Sequence, residues 1–206
     1  MRISGCRELD ELIKPGTTTL FYGEAGIGKT NLLLTIAGNI CSVVSRCIYI
    51  GTEDTLFYER VARQPEKFEN VFFTHIWDFD ELLRYVLSVI YFTQYNALFI
   101  DSINALYRLV AYREDSLTKY GLMLGVLTKK TRDLKAYLFA SAQVRIGYRE
   151  YEEEVVASGM PILEYWFNNI FKMSEDENGR FVESVKPVEG VKKYYIITGE
   201  GIEWIS

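Results

Sequence analysis

Gly23-Glu24-Ala25-Gly26-Ile27-Gly28-Lys29-Thr30 decides how this chain folds. The octet fits G-x-x-x-x-G-K-[ST], a loop whose backbone N–H groups turn inward on an anion when a strand runs into it and a helix leaves it. Both flanks are present. Thr17 to Tyr22 (TTTLFY) is β-branched and aromatic, and Asn31 to Ala37 (NLLLTIA) continues as an apolar helix. The pattern predicts a nucleoside triphosphate site over Gly23, Glu24, Ala25, Gly26, Ile27, Gly28, Lys29, Thr30 and Asn31. Lys29 is expected on the β- and γ-phosphates and the Thr30 hydroxyl on Mg²⁺.

Outward from the loop, strands and helices alternate. Arg46 to Thr52 (RCIYIGT), Asn70 to Ile76 (NVFFTHI), Asn96 to Asp101 (NALFID) and Ala136 to Ala142 (AYLFASA) read as buried strands. Between them, helices are predicted over Leu56 to Arg63, over Asp78 to Tyr91, and over a long stretch carrying Leu117, Tyr120, Leu124, Leu127 and Leu134. Gly121 and Gly125 in the last helix suggest close packing on the sheet. Arg145 to Gly159 is charged, lacks a clean period and reads as a mobile loop. Beyond it Asn169 to Ser174, Phe181 to Val185 and Lys193 to Thr198 alternate and read as antiparallel strands. The expected fold is α/β, a mostly parallel twisted sheet with helices on both faces and antiparallel C-terminal strands, in one domain over residues 1–206.

The composition sets bounds. The 206 residues carry 23 Lys and Arg against 28 Asp and Glu, a net charge of −5, so no overall basic field draws in nucleic acid. Any DNA contact would be local. Cys6, Cys41 and Cys47 have no C-x-x-C spacing and are accompanied by a single histidine, so three buried free thiols in a reducing cytosol are expected rather than a zinc site or a disulfide framework. The N-terminus has no apolar signal core and no stretch is long and apolar enough to span a bilayer, which predicts a cytoplasmic protein. His75, at the end of an apolar strand, reads as packing rather than as a ligand or base.

Hydrolysis of a bound triphosphate needs a carboxylate for the metal and a base for water. Asp101 ends an apolar strand and is either the metal-holding acid or a helix cap. Glu53, just past the strand that follows the first helix, is either the base or a solvated loop acid. Gln143 closes another strand and either senses the γ-phosphate or lies on the surface. Phe57, Arg60 and Pro187 are candidates by position for contact with the base of the nucleotide.

These residues resemble a family. Leu9-Asp10-Glu11-Leu12 with Gly16-Thr17 and Tyr22-Gly23-Glu24, then Tyr49-Ile50-Gly51-Thr52-Glu53-Asp54-Thr55 with Glu59-Arg60, then Ile100-Asp101-Ser102-Ile103-Asn104-Ala105-Leu106-Tyr107-Arg108, then Gln143-Val144, and finally Ile196-Ile197-Thr198 with Gly201-Ile202 look like the motifs of the RecA/RadA recombinase superfamily, in its order. The likeness covers nearly the whole chain and is closest to the short archaeal RadA paralogues that consist of the ATPase core alone. It implies a RecA-like P-loop NTPase that binds ATP and Mg²⁺ and hydrolyses ATP slowly, with DNA stimulation if its loops engage DNA. Glu53 would be the catalytic base, and Gln143 the residue that couples ATP state to DNA. It also implies a role beside a full-length RadA-type recombinase or another paralogue in recombination and repair, and a site completed by a neighbouring subunit of the same or another chain.

The departures are specific. Gly51 stands where RadA commonly has an acid, and Ala142 where it has an asparagine. The N-terminal helical domain and aromatic polymerisation motif ahead of the core are absent from the sequence, so filaments by the usual route are not expected. The second DNA loop would carry Arg145 and Arg149, but Glu150, Glu152, Glu153 and Glu154 follow and oppose phosphate contact. In the first, Arg108 and Arg113 beside Tyr107 and Tyr112 either pair with and stack on single-stranded DNA or are solvated arginines over packed tyrosines. Two other expectations stay open: a KaiC-like regulatory ATPase not acting on DNA, disfavoured by Glu53-Asp54 in place of two glutamates, and a binding module whose nucleotide is structural.

Overall fold

The computed structural model describes residues 2–53, 57–149, 152–157 and 159–205, with the backbone alone described at 57, 145–149 and 152–157. In chain order the elements are α1 (Arg7–Asp10), β1 (Thr18–Gly23), α2 (Lys29–Cys41), β2 (Cys47–Gly51), α3 (Phe57–Arg63), β3 (Val71–His75), α4 (Phe79–Tyr85) and β4 (Ala97–Asp101). There follow α5 (Ala105–Val110), α6 (Ser116–Leu134), β5 (Tyr137–Arg149), β6 (Glu152–Ala157), α7 (Met160–Trp166), β7 (Asn169–Asp176), β8 (Gly179–Lys186), β9 (Lys192–Thr198) and β10 (Gly201–Trp204). The sheet runs β10-β9-β8-β7-β1-β5-β4-β2-β3, with β6 paired to the far end of β5. β3, β2, β4, β5, β1 and β7 are mutually parallel, and β8, β9 and β10 continue antiparallel.

Because side chains alternate along a strand, each inner strand feeds two cores. Leu20, Ile50, Leu98, Ile100, Leu138 and Ala140 face α4, α6 and α7. Phe21, Tyr49, Phe99 and Phe139 face α2. On that second face Phe73, Tyr49, Phe99 and Phe139 lie in register across four strands, their rings 5.3–5.7 Å apart. Phe21 stacks on Phe171 at 5.2 Å further across the same face. Stepping two residues along each strand from this aromatic row leads to Gly51, Asp101 and Ser141, all on the α2 side at the carboxyl edge, where Gly23 opens the loop.

Several sequence expectations are corrected. The stretch from Arg145 is not an irregular loop: β5 runs on to Arg149 and pairs antiparallel with β6, Val144 opposite Ala157 and Arg149 opposite Glu152. The alternation of Val144, Ile146 and Tyr148 is a strand period that the density of charge obscured. Residues 150, 151 and 158 lie outside the described residues. Gly121 and Gly125 pack closely, but on α7 rather than on the sheet: a Cβ there would stand 3.4 Å from Ile162 and 3.1 Å from Trp166. β7 is antiparallel only to β8, since its other neighbour is β1. Gly201-Ile202 begins β10. Cys41 and Cys47 are joined in a disulfide, and Cys6 alone is a free, buried thiol. α2 ends directly above the start of β2, which brings two cysteines of unremarkable spacing to a Cα separation of 6.1 Å. Among the described residues no helix is long and apolar enough to cross a membrane.

Candidate nucleotide site

A cleft of about 220 Å³ at the carboxyl edge gathers Ala25, Gly26, Gly28, Lys29, Thr30 and Asn31 from the loop and the start of α2 with Asp101 and Gln143 from β4 and β5 and Glu53 from just beyond β2. Glu24 and Ile27 instead border a second hollow of about 300 Å³ on the outer side of the loop, towards Arg180. Gly28 has φ of +108°, which favours glycine there, and a Cβ on it would lie 2.7 Å from the tip of the Ile197 side chain, which would have to shift. Lys29 is 7% exposed, and its Nζ donates to the carbonyls of Gly23 at 2.8 Å and Glu24 at 2.7 Å. Burial pushes its pKa down, against the opposing charges of Asp101, Glu53 and Glu24.

Asp101 is 3% exposed and held at both oxygens. The Tyr49 hydroxyl donates to Oδ2 at 2.9 Å and the Ser141 hydroxyl donates to Oδ1. Burial, with the neighbouring Asp101 charge and hydrogen bond, raises the Tyr49 pKa well above its ordinary value, so the phenol stays protonated as donor. Behind Asp101, Thr52 and Ser102 bond reciprocally: Thr52 Oγ1 donates to the Ser102 carbonyl at 2.6 Å and accepts from its N–H at 2.8 Å.

Glu53 follows β2 on the same face, and its Oε2 accepts from Gln143 Nε2 at 3.0 Å. Its pKa is raised, first by burial and then by the charge of Asp101. Gln143 is itself fixed. Its backbone N–H and carbonyl are both bonded by the Asn104 side chain, at 3.1 and 2.9 Å, and its Oε1 accepts from Arg108 Nη1 at 3.2 Å. Arg108 therefore lies inward on α5, joined through Gln143 to Glu53.

The remaining candidates separate. Arg113 is exposed, pairs with Asp80 at 3.1 Å and lies 5.9 Å over the ring of Tyr112, which is 82% exposed. Tyr107 is buried and stacked on Tyr120 at 4.2 Å, so of the two tyrosines only Tyr112 is open to a ligand. The side chains of Arg145 and Arg149 lie outside the described residues, as does that of Phe57. Asn31 accepts from Arg60 at both its carbonyl and its side chain. Arg60 also donates to Thr35 and to the Glu200 carbonyl, each at 2.9 Å, so it ties α2 to the β9–β10 turn. Pro187 is corrected: Lys186 pairs with Ile170 near the start of β7, which puts Pro187 at the opposite edge of the sheet from the loop.

Tyr49, Ser141 and Asn104 are site residues that the sequence reading missed. A serine inside the apolar run Ala140-Ser141-Ala142 and an asparagine three places after Asp101 were the available signals.

No protein-family model matches the chain. A DNA repair and recombination protein RadB of Methanobrevibacter smithii is 26% identical over 205 residues, covering 94% of this chain and 85% of that protein. The protein of the same name from Methanococcus maripaludis is 27% identical over 207 residues, covering 94% of each. A crystal structure of the RadB recombinase superposes over 100% of both chains with a TM-score of 0.78 at 24% identity. The chain is RadB-like, with the RecA fold. These likenesses are to proteins of recombination and repair and lend no support to the KaiC-like alternative.

Proposed function

We propose that the chain is a Mg²⁺-dependent ATPase acting as a recombinase paralogue in DNA recombination and repair. The observation that carries this reading is the convergence of Lys29, Thr30, Asp101, Glu53 and Gln143 on one cleft at the mouth of the loop. Phosphates enter against the loop N–H groups and the start of α2, and Lys29 exchanges a carbonyl for a phosphate oxygen. Thr30 and Asp101 fit Mg²⁺: one hydroxyl and one carboxylate are hard oxygen donors for an ion that keeps several waters and takes phosphate oxygens. Among the described residues no group of three or more His, Cys, Asp or Glu could cage a metal. Held there, Mg²⁺ would supply neutralisation of phosphate charge. Glu53 takes the proton of a water as its oxygen bonds to the γ-phosphorus and the bond to the β-phosphate oxygen breaks, giving ADP and phosphate. Gln143, bonded to Glu53 and to Arg108, links this base to the first loop.

The relatives' names supply recombination and repair. The resemblance of the motifs to RadA paralogues adds a RadA-type recombinase or second paralogue as the partner we propose, in a homo- or hetero-oligomer in the cytoplasm. Contact with single-stranded DNA would fall on Tyr112, Arg113 and the outer part of β5. Phosphate release from ATP·Mg²⁺, measured with and without single-stranded DNA across a salt series, tests the reading. Turnover that rises with DNA and loses the rise steeply with salt is expected. Lack of any turnover would leave a nucleotide-binding module, and turnover indifferent to DNA at low salt would assign the action to a protein partner.

A further inference from the structure

His75 ends β3 directly opposite Gly51 of β2, on the same face as Tyr49 and Glu53. Its ring crosses the gap that Gly51 leaves. A Cβ at Gly51 would stand 2.7 Å from Nε2 and 2.9 Å from Cε1, so any larger residue there displaces the imidazole. Across that gap Nε2 lies 2.9 Å from the Glu53 carbonyl, and Nδ1 lies 3.0 Å from the Tyr58 hydroxyl. Trp77 stacks flat on the ring, 4.7 Å between centroids and 9° between planes. A carbonyl oxygen can only accept, so Nε2 carries a proton and donates it to the Glu53 carbonyl.

We infer that His75 is a positioning residue for Glu53, holding the backbone of that residue from β3 while Gln143 holds its carboxylate from β5. The inference rests on the reading of Glu53 as base. β2 ends at Gly51, and Glu53 lies beyond the last ladder pairing, so its main chain needs another anchor. His75 is that anchor. It touches neither phosphate nor water in this role, and it acts only through where it puts Glu53. Any side chain at position 51 would take the room the imidazole occupies, so the pair Gly51 and His75 is one device.

The chain has a single histidine, which makes a direct test available. A two-bond ¹⁵N–¹H spectrum of the ring should show the Nε2–H tautomer in the unmodified protein; an Nδ1–H tautomer or an averaged ring overturns the inference without reference to turnover. In kinetics, His75→Phe keeps the stack on Trp77 but removes the donor, and should lower kcat about tenfold to a hundredfold with KM within about threefold. His75→Gln, whose amide nitrogen can replace Nε2, should recover most of the loss. Unchanged kcat in His75→Phe while Glu53→Gln abolishes turnover removes the positioning role and leaves the base. Full turnover in Glu53→Gln removes both. A His75→Phe loss shared equally by ATP affinity and not relieved by glutamine marks a merely structural histidine and overturns the inference.

Discussion

Tyr49→Phe takes away one of the two hydroxyls that hold Asp101 and changes almost nothing else. The ring is fully buried and stacks on Phe99 at 5.7 Å, so phenylalanine keeps the packing. What goes is a 2.9 Å bond to a carboxylate that is 3% exposed. A hydrogen bond to a charged group is worth about 1.5–3 kcal/mol, and little water can reach Asp101 to replace it. For a chain of this size that loss lowers Tm by about 3–12 °C. The charge on Asp101 should dominate the effect. In an Asp101→Asn background the same substitution removes only a neutral bond, costing about 0.5–1.5 kcal/mol. Thermal unfolding followed by circular dichroism over the four proteins of this cycle measures the coupling. ATP·Mg²⁺ should shrink the penalty, because the ion then shares the acid's charge. Equal drops in both backgrounds, or none, would refute the claim that Tyr49 stabilises a buried carboxylate.

Other outcomes follow from the same geometry. Glu53 has a folded pKa above its ordinary value of 4.5, so its charged form is disfavoured in the fold. Stability therefore falls as pH rises through that folded pKa, and Glu53→Gln should raise Tm at neutral pH while abolishing turnover; a fall in Tm would contradict the burial argument. The base must be ionised to work, so the acidic limb of the kcat profile should lie above 4.5, and a limb at or below it would place Glu53 in water. Reduction of Cys41–Cys47, which closes a short loop, should cost about 2 kcal/mol and lower Tm by about 4–8 °C, with no response to reductant in Cys41→Ser/Cys47→Ser. Gly28→Ala adds a side chain at φ +108° against Ile197 and should cost about 1–3 kcal/mol together with ATP affinity, read by calorimetric titration.

What the sequence reveals here is what is local. The loop, its strand and its helix are contiguous, so spacing alone places Lys29 and Thr30. Glu53, Asp101 and Gln143 are legible one step less directly, because each ends or follows an apolar strand and parallel strands bring such ends to one edge. Their partners are not legible. Tyr49 reaches Asp101 diagonally, Ser141 reaches it from the next strand, and Asn104 grips Gln143 across 39 residues, so each pairing depends on registers that no single stretch encodes. His75 looked like packing for the same reason: its role appears only when β3 is laid beside β2. Pro187 failed because position along the chain says nothing of which edge of the sheet a turn occupies. The hairpin of β5 and β6 was missed because charge was weighed above alternation.

The row of rings across β3, β2, β4 and β5 has a consequence for folding quality. Phe73, Tyr49, Phe99 and Phe139 interlock only when four strands are aligned to the residue, and the Tyr49 hydroxyl at that row is what grips Asp101. A slip of one residue in β4 would set Leu98 or Ile100 among the rings and turn Asp101 to the other side of the sheet. Alignment of the strands and assembly of the acid are thus a single event. A misthreaded copy of this chain would be inert as well as unstable, so the sheet proofreads its own chemistry.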